Sequence, residues 1–260
     1  MNRITSWIST ARARRHVRTS LYRTALQDLP DGLETGWRAS APQEYPGIRT
    51  DAFFFACAAE GLMRFFDAVR RSGRPCALPS EAADSVWHAW LRHDPIGLER
   101  FCRKHFGRVI PHVEGAALET GALAATLITA RQAEKIAPLG PQLPRLFGLD
   151  ARLRMPGGHG YRSDDGKVVY ATLDRRGGFP GRAGPHPELT ISAMLAAGLV
   201  DADMVLAHLQ RLQPAAGTTP FAADGADLCF TADGGSDGSG GCDGGSSCGS
   251  SCGGGCGGGD

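Results

Sequence analysis

The clearest helical period in the chain begins at Asp51. Phe54, Cys57, Ala58, Leu62, Phe65, Phe66 and Val69 recur at three- and four-residue steps, and Ser72-Gly73 closes the run. Such a stripe buries one side of a helix, so residues 51 to 72 are predicted as a core helix in which Cys57 is packing. Ser80 stands as an N-cap before a second period that runs to about His93. Asp94-Pro95 restarts the chain as a cap and a first-turn proline, and a third helix reaches Phe106 before Gly107 stops it. Two helices joined at a tight corner therefore span 80 to 106. Further helices are predicted over 116–137, 145–153, 188–197 and 201–212, the last with Asp201 as its cap. Tyr161-Arg162, the Asp164-Asp165-Gly166 turn and Val168 to Leu173 read as one short hairpin. Residues 28 to 50, marked by Pro30, Pro42 and Pro46, read as a connecting loop. Upstream, Ile4, Trp7, Ile8, Ala11, Leu21, Tyr22 and Ala25 fall at roughly helical spacing, which predicts a peripheral helix with a solvated arginine face. The fold class is mainly α, a compact multi-helix domain with at most one short β-hairpin.

Composition changes the picture at the C-terminal end. Of the 36 glycines among 260 residues, 14 lie between 234 and 260, where only Gly, Ser, Cys and Asp occur. A segment of that kind cannot bury enough apolar surface to offset its conformational entropy, so a disordered Gly/Cys/Ser-rich tail is expected. The expected organisation is a basic N-terminal arm over 1–30, a helical domain over 31–213 and the tail over 214–260. Net charge is +1, from 28 basic and 27 acidic residues, so no global field recruits nucleic acid. The longest apolar stretches, Thr120–Ala130 and Leu189–Val200, fall well short of the ~20 residues a membrane span needs. Six arginines precede the first acid, Asp28, without a continuous apolar core, unlike a secretory signal. The Ala/Arg/Gly-rich usage suits a GC-rich bacterial genome, and a cytoplasmic location is expected. A protein partner and a weak membrane-surface contact through the basic arm stay open.

Candidate chemistry concentrates in 84–112. Asp84 and His88 are four apart on one helix. On the next, Leu98, Phe101, Cys102 and His105 share an inward face, and His112 follows a turn. Two helices at a corner can bring His88, Cys102, His105 and His112 to one point. Zinc takes four donors of the imidazole and thiolate kind, and Asp84 would orient His88 through its free ring nitrogen. The spacing lacks paired Cys-x-x-Cys knuckles, so an alternative stays open. In it Cys102 is core packing, His88 and His112 are hydrogen-bonded core residues, His105 is half exposed, and His93 answers a helix dipole.

Asp84, Trp87-His88, Phe101-Cys102, Phe106-Gly107 and His112 together resemble the glycine-rich domain-containing protein-like family, across residues 50 to 160. The helix at 51 to 72 and the stretch from Leu143 to Pro156-Gly157-Gly158 also resemble its bacterial members. The resemblance implies a helical domain and no established reaction. This chain departs from the pattern at Trp90, where members often carry a second His, so a site here is either incomplete or uses His93 or His105 instead.

Cys242, Cys248, Cys252 and Cys256 in the tail supply thiols for soft metals, and Cys229 lies just before them. The Gly-Cys and Ser-Cys runs are also similar to thiazole- and oxazole-modified microcin precursors, although those follow a short leader rather than a folded domain. The chain shows no Gly-x-Ser-x-Gly elbow, P-loop, His-Glu-x-x-His or dinucleotide fingerprint. The expected function is a non-catalytic binding or scaffold domain with a structural zinc site and a thiol-bearing tail. The alternatives are a metal-dependent enzyme using the same cluster, or a tail that is a substrate for modification.

Overall fold

A computed structural model describes residues 3–113, 118–164 and 167–212. The expected tail and its thiols, the Cys229 position, and the turn residues 165 and 166 lie outside them. Among the described residues there are ten α-helices and one three-stranded sheet, so the chain is mainly α as its periodicity predicts. The helices are α1 (Arg3–Thr19), α2 (Arg23–Gln27), α3 (Leu33–Glu44), α4 (Ala52–Ser72), α5 (Glu81–His93), α6 (Pro95–Phe106), α7 (Ala122–Ala133), α8 (Leu149–Leu153), α9 (Ile191–Ala196) and α10 (Ala202–Leu212). Strands β1 (His159–Asp164) and β2 (Lys167–Thr172) form the expected hairpin, with Tyr161 opposite Tyr170, and the two-residue β3 (Gly184–Pro185) pairs with β2.

The central element is α4. Asp51 accepts from the backbone N–H groups of Phe53 and Phe54, and Gly73 ends the helix in the left-handed conformation at φ 64°. Phe54, Leu62 and Phe66 are fully buried along it, against Trp37 of α3 and Trp87 of α5. Gly61 lets α8 approach, since a Cβ there would meet Leu149 Cδ2 at 2.2 Å. The basic helix α1 packs along α4, with Ala13 buried and Arg12, Arg14, Arg15 and Arg18 exposed. A second, smaller apolar cluster joins α7, the sheet and α9 through Leu127, Phe147, Tyr161 and Met194. No helix among the described residues is long and apolar enough to cross a membrane.

One prediction needs correction. Residues 28 to 50 are not a plain loop, because Leu33–Glu44 forms α3. Leu33, Trp37 and Ala41 sit four apart and are buried, and the Trp37 indole N–H donates to Ser85 Oγ at 2.9 Å. That burial outweighs the loss of one ladder hydrogen bond at Pro42, which lies inside the helix. The correction matters because α3 packs on α5 and ends beside the site.

Candidate metal centre

α5 is buried nearly all round. Ala82, Ala83, Ser85, Val86, Trp87, Ala89 and Trp90 face the core, whereas Glu81, Asp84 and His88 line one half-buried stripe at i, i+3 and i+7. The stripe is held in place at the helix start. Ser80 Oγ accepts from the Ala83 N–H, while the Asp150 carboxylate of α8 accepts from the N–H groups of Glu81 and Ala82 at 2.9 and 3.1 Å. Asp150 also accepts from the His159 N–H at 2.8 Å and from the Ser80 hydroxyl at 2.6 Å. One buried carboxylate therefore fixes α5 and the start of β1 together. Gly158 must be glycine here, since a Cβ would stand 2.7 Å from Asp150 Oδ2.

Three donors converge over this stripe. His88 Nε2 lies 3.3 Å from Asp84 Oδ2, and His112 Nε2 lies 3.3 Å from Asp84 Oδ1. Donor atoms of Asp84, His88 and His112 all fall within 4.8 Å of one another. Gly107, left-handed at φ 74°, ends α6 and turns the chain back, and the His112 ring meets the Trp87 ring edge-on at 4.6 Å between centroids. The Asp84, His88 and His112 side chains are 25%, 29% and 19% exposed, so the cluster sits at the surface of the core rather than inside it.

Asp84 was expected behind His88, orienting it. It lies instead between the two imidazoles, and the orienting carboxylate is Glu44, at the end of α3. Glu44 Oε1 is 3.2 Å from His88 Nδ1, and both Glu44 oxygens accept from Arg92, at 2.9 and 3.1 Å. Arg92, and with it His88, holds the Glu44 carboxyl below its ordinary range. Tyr45 follows directly and donates its hydroxyl to Asp84 Oδ2 at 3.3 Å.

A second pair adjoins the first. His159 Nε2 is 3.1 Å from Glu81 Oε1, and His159 Nδ1 is 3.0 Å from the Tyr170 hydroxyl. The hydrogen bond from His159 keeps Glu81 ionised, below its ordinary range. Burial pulls the His159 imidazole down, but Glu81 and the charges of Asp150 and Asp84 outweigh it and raise the pKa. The glycine-rich stretch from Gly157 to Gly160 leads into β1, which starts at His159 and delivers that histidine to the site.

The structure brings together His88, His112 and Asp84 but places the other sequence candidates elsewhere. Cys102 is fully buried in the core, where burial pushes its thiol up to about 11 and disfavours the thiolate a metal needs. His105 stacks on Phe101 at 4.5 Å, with its Nε2 3.0 Å from Asp28 Oδ2. His93 lies beside Gly32. Glu44, Tyr45, Glu81 and His159 were missed. The Glu81, Asp84, His88 spacing on one helical face was the available signal for Glu81; the others come from elements distant in sequence.

Comparison with known proteins gives one match. The model of a family described as UCP032817-like covers residues 31–176, which include every residue of the cluster. No curated protein and no solved structure matches the chain.

Proposed function

The chain belongs to the UCP032817-like family, and on that premise we propose that its helical domain binds one divalent transition-metal ion through Asp84, His88 and His112, with coordination positions left open to a small ligand. The carrying observation is the pair of 3.3 Å separations between Asp84 and the two imidazole nitrogens. Donors bound to zinc at 2.0–2.1 Å in a tetrahedron stand about 3.3 Å apart, which matches these two separations, each to a different Asp84 oxygen, while the three residues' donor atoms lie within 4.8 Å of one another. The His88 ring supports the same reading, with one nitrogen toward the cluster and the other on Glu44, as metal-bound histidines are usually held. A closed structural zinc site takes four protein ligands, whereas among the described residues this one offers three and part of each is exposed. That favours a ligand-binding centre over an inert structural one. Two histidines and one carboxylate suit zinc and also ferrous iron.

Cobalt(II) titration of the full chain tests the reading. One ion is expected with a visible spectrum free of thiolate charge transfer, which separates this centre from any tail thiols. Asp84→Ala, His88→Ala and His112→Ala are each expected to weaken it by ~100-fold or more, and Cys102→Ala to leave it unchanged. Retention of the nitrogen–oxygen spectrum in all three variants would sink the proposal. Glu44→Gln keeps the side chain but removes the charge behind His88, and a ~10-fold loss of cobalt affinity is expected. An unchanged affinity would show that Glu44 does not orient the ligand.

A second reading, a metal-dependent hydrolase, draws on Glu81, a carboxylate on the same helical stripe that would serve as the general base if a metal were bound. Hydrolysis of p-nitrophenyl acetate that requires both Asp84 and Glu81 would favour it; equal rates in Glu81→Gln would remove it.

A further inference from the structure

Beside the metal cluster lies a cleft of about 360 Å³ between the end of α4, α5 and the segment after α6. That volume accommodates a small organic molecule. Asp84 and His112 belong to its wall, and His88 does not. Phe65, Trp87 and Ile110 give it apolar faces, and all three are more than nine-tenths buried.

Among the described residues two of the three Asp, Glu, Lys or Arg side chains in the wall are arginines, Arg74 and Arg108, both exposed, and the third, Asp84, is already engaged by Tyr45, His88 and His112. Arg74 is fixed, donating to the carbonyls of Ala197 at 2.7 Å and Gly198 at 3.3 Å. Arg108 has no hydrogen bond or ion pair among the described residues. We infer that this cleft binds a small monocarboxylate with an apolar or aromatic body, its acid group on Arg108 and its body against Phe65 and Trp87, beside the metal centre. A guanidinium meets a carboxylate through paired N–H donors, which favours that anion over a neutral isostere. The inference rests on the metal reading only for the ligand's place next to an ion.

The test uses the full-length protein, 3-phenylpropionate as probe and 3-phenylpropionamide as its neutral counterpart, titrated by calorimetry. The acid is expected to bind at least about tenfold tighter than the amide, and Arg108→Gln to lose about tenfold for the acid alone. Removing metal from the wild-type chain with a chelator, which alters no residue, is expected to keep acid affinity within about threefold. Equal affinity for acid and amide, no effect of Arg108→Gln, or no binding at millimolar probe would each overturn the inference. So would loss of acid binding on chelation with Arg108→Gln unaffected, since the acid would then sit on the ion. Metal content measured on the same samples judges the metal reading separately: a wild-type chain without metal overturns that reading, while the acid-over-amide preference stands or falls by the titrations.

Discussion

Replacing Asp150 by alanine is expected to lower the stability of the helical domain by about 3–5 kcal/mol. The side chain is 1% exposed and accepts four hydrogen bonds, from the Ser80 hydroxyl and the backbone N–H groups of Glu81, Ala82 and His159. Burial pushes its carboxyl upward, and the four donors oppose that. Alanine leaves all four donors facing a void, and each orphaned donor costs about 1–3 kcal/mol, reduced in sum where water enters. Asparagine retains one acceptor but turns an N–H₂ group toward the others, so Asp150→Asn is expected to lose about 2 kcal/mol. Equilibrium urea unfolding reads both values. A loss below about 1 kcal/mol in Asp150→Ala would mean that solvent replaces the carboxylate, and that α5 and β1 are held by packing alone. The same variant connects stability to the site, because α5 carries Glu81, Asp84 and His88 while β1 carries His159.

The second large effect concerns the seat of α1. Glu60 of α4 is 6% exposed at its side chain and meets His16 Nε2 at 2.6 Å, the Ser20 hydroxyl at 2.8 Å and Arg64 Nη2 at 2.9 Å. Arg64 continues to Glu134 at 3.0 Å, so one buried network joins α1, α4 and the end of α7. Burial alone would raise the Glu60 carboxyl, but His16, Arg64 and Ser20 hold it down to about 2. Contacts with Cys57 and Glu60 push the His16 imidazole up to about 9. The signs then set a pH window. Glu60 contributes fully above its ordinary value of 4.5 and loses its contribution as pH falls through about 2. His16 contributes fully below its ordinary value of 6.5 and loses its contribution as pH rises through about 9. Both shifts describe the same contact and are counted once. Glu60→Gln is therefore expected to cost about 3 kcal/mol between pH 4.5 and 6.5, with the deficit shrinking as pH climbs from 6.5 through about 9. Urea midpoints of wild type and variant from pH 3 to 10 measure that difference. A deficit that stays flat to pH 10 would show that Arg64 and Ser20, rather than His16, supply the interaction.

Local rules in the chain determined α4, α5 and α6 and several of their ends. Asp51, Ser80 and Asp94 each accept a backbone N–H of the helix they precede, and Gly73 and Gly107 adopt the left-handed conformation that stops one. Caps and periods act over three or four residues, so they are legible without knowing the fold. The pairing of Asp84 with His88, one helical turn apart, was legible for the same reason.

Partner choice required the tertiary structure. The periodicity of α6 correctly marks Cys102 as inward, yet an inward face only says that a residue is buried, not which neighbour it meets. Cys102 meets the apolar core, and the third donor at Asp84 comes instead from His112, beyond the Gly107 turn. Glu44 reaches His88 across 44 residues, from the end of a helix that the prolines at 30, 42 and 46 hid; Leu33, Trp37 and Ala41 are its buried face, with Trp37 against Phe54 of α4 and Ser85 of α5. Asp150 reaches Glu81 across 69 residues. Residue type and spacing decided which side chains can do chemistry. Which of them stand within 3.3 Å was decided by burial of α3, α5 and α8 on one core, a free energy summed over the whole domain that no short window of sequence contains.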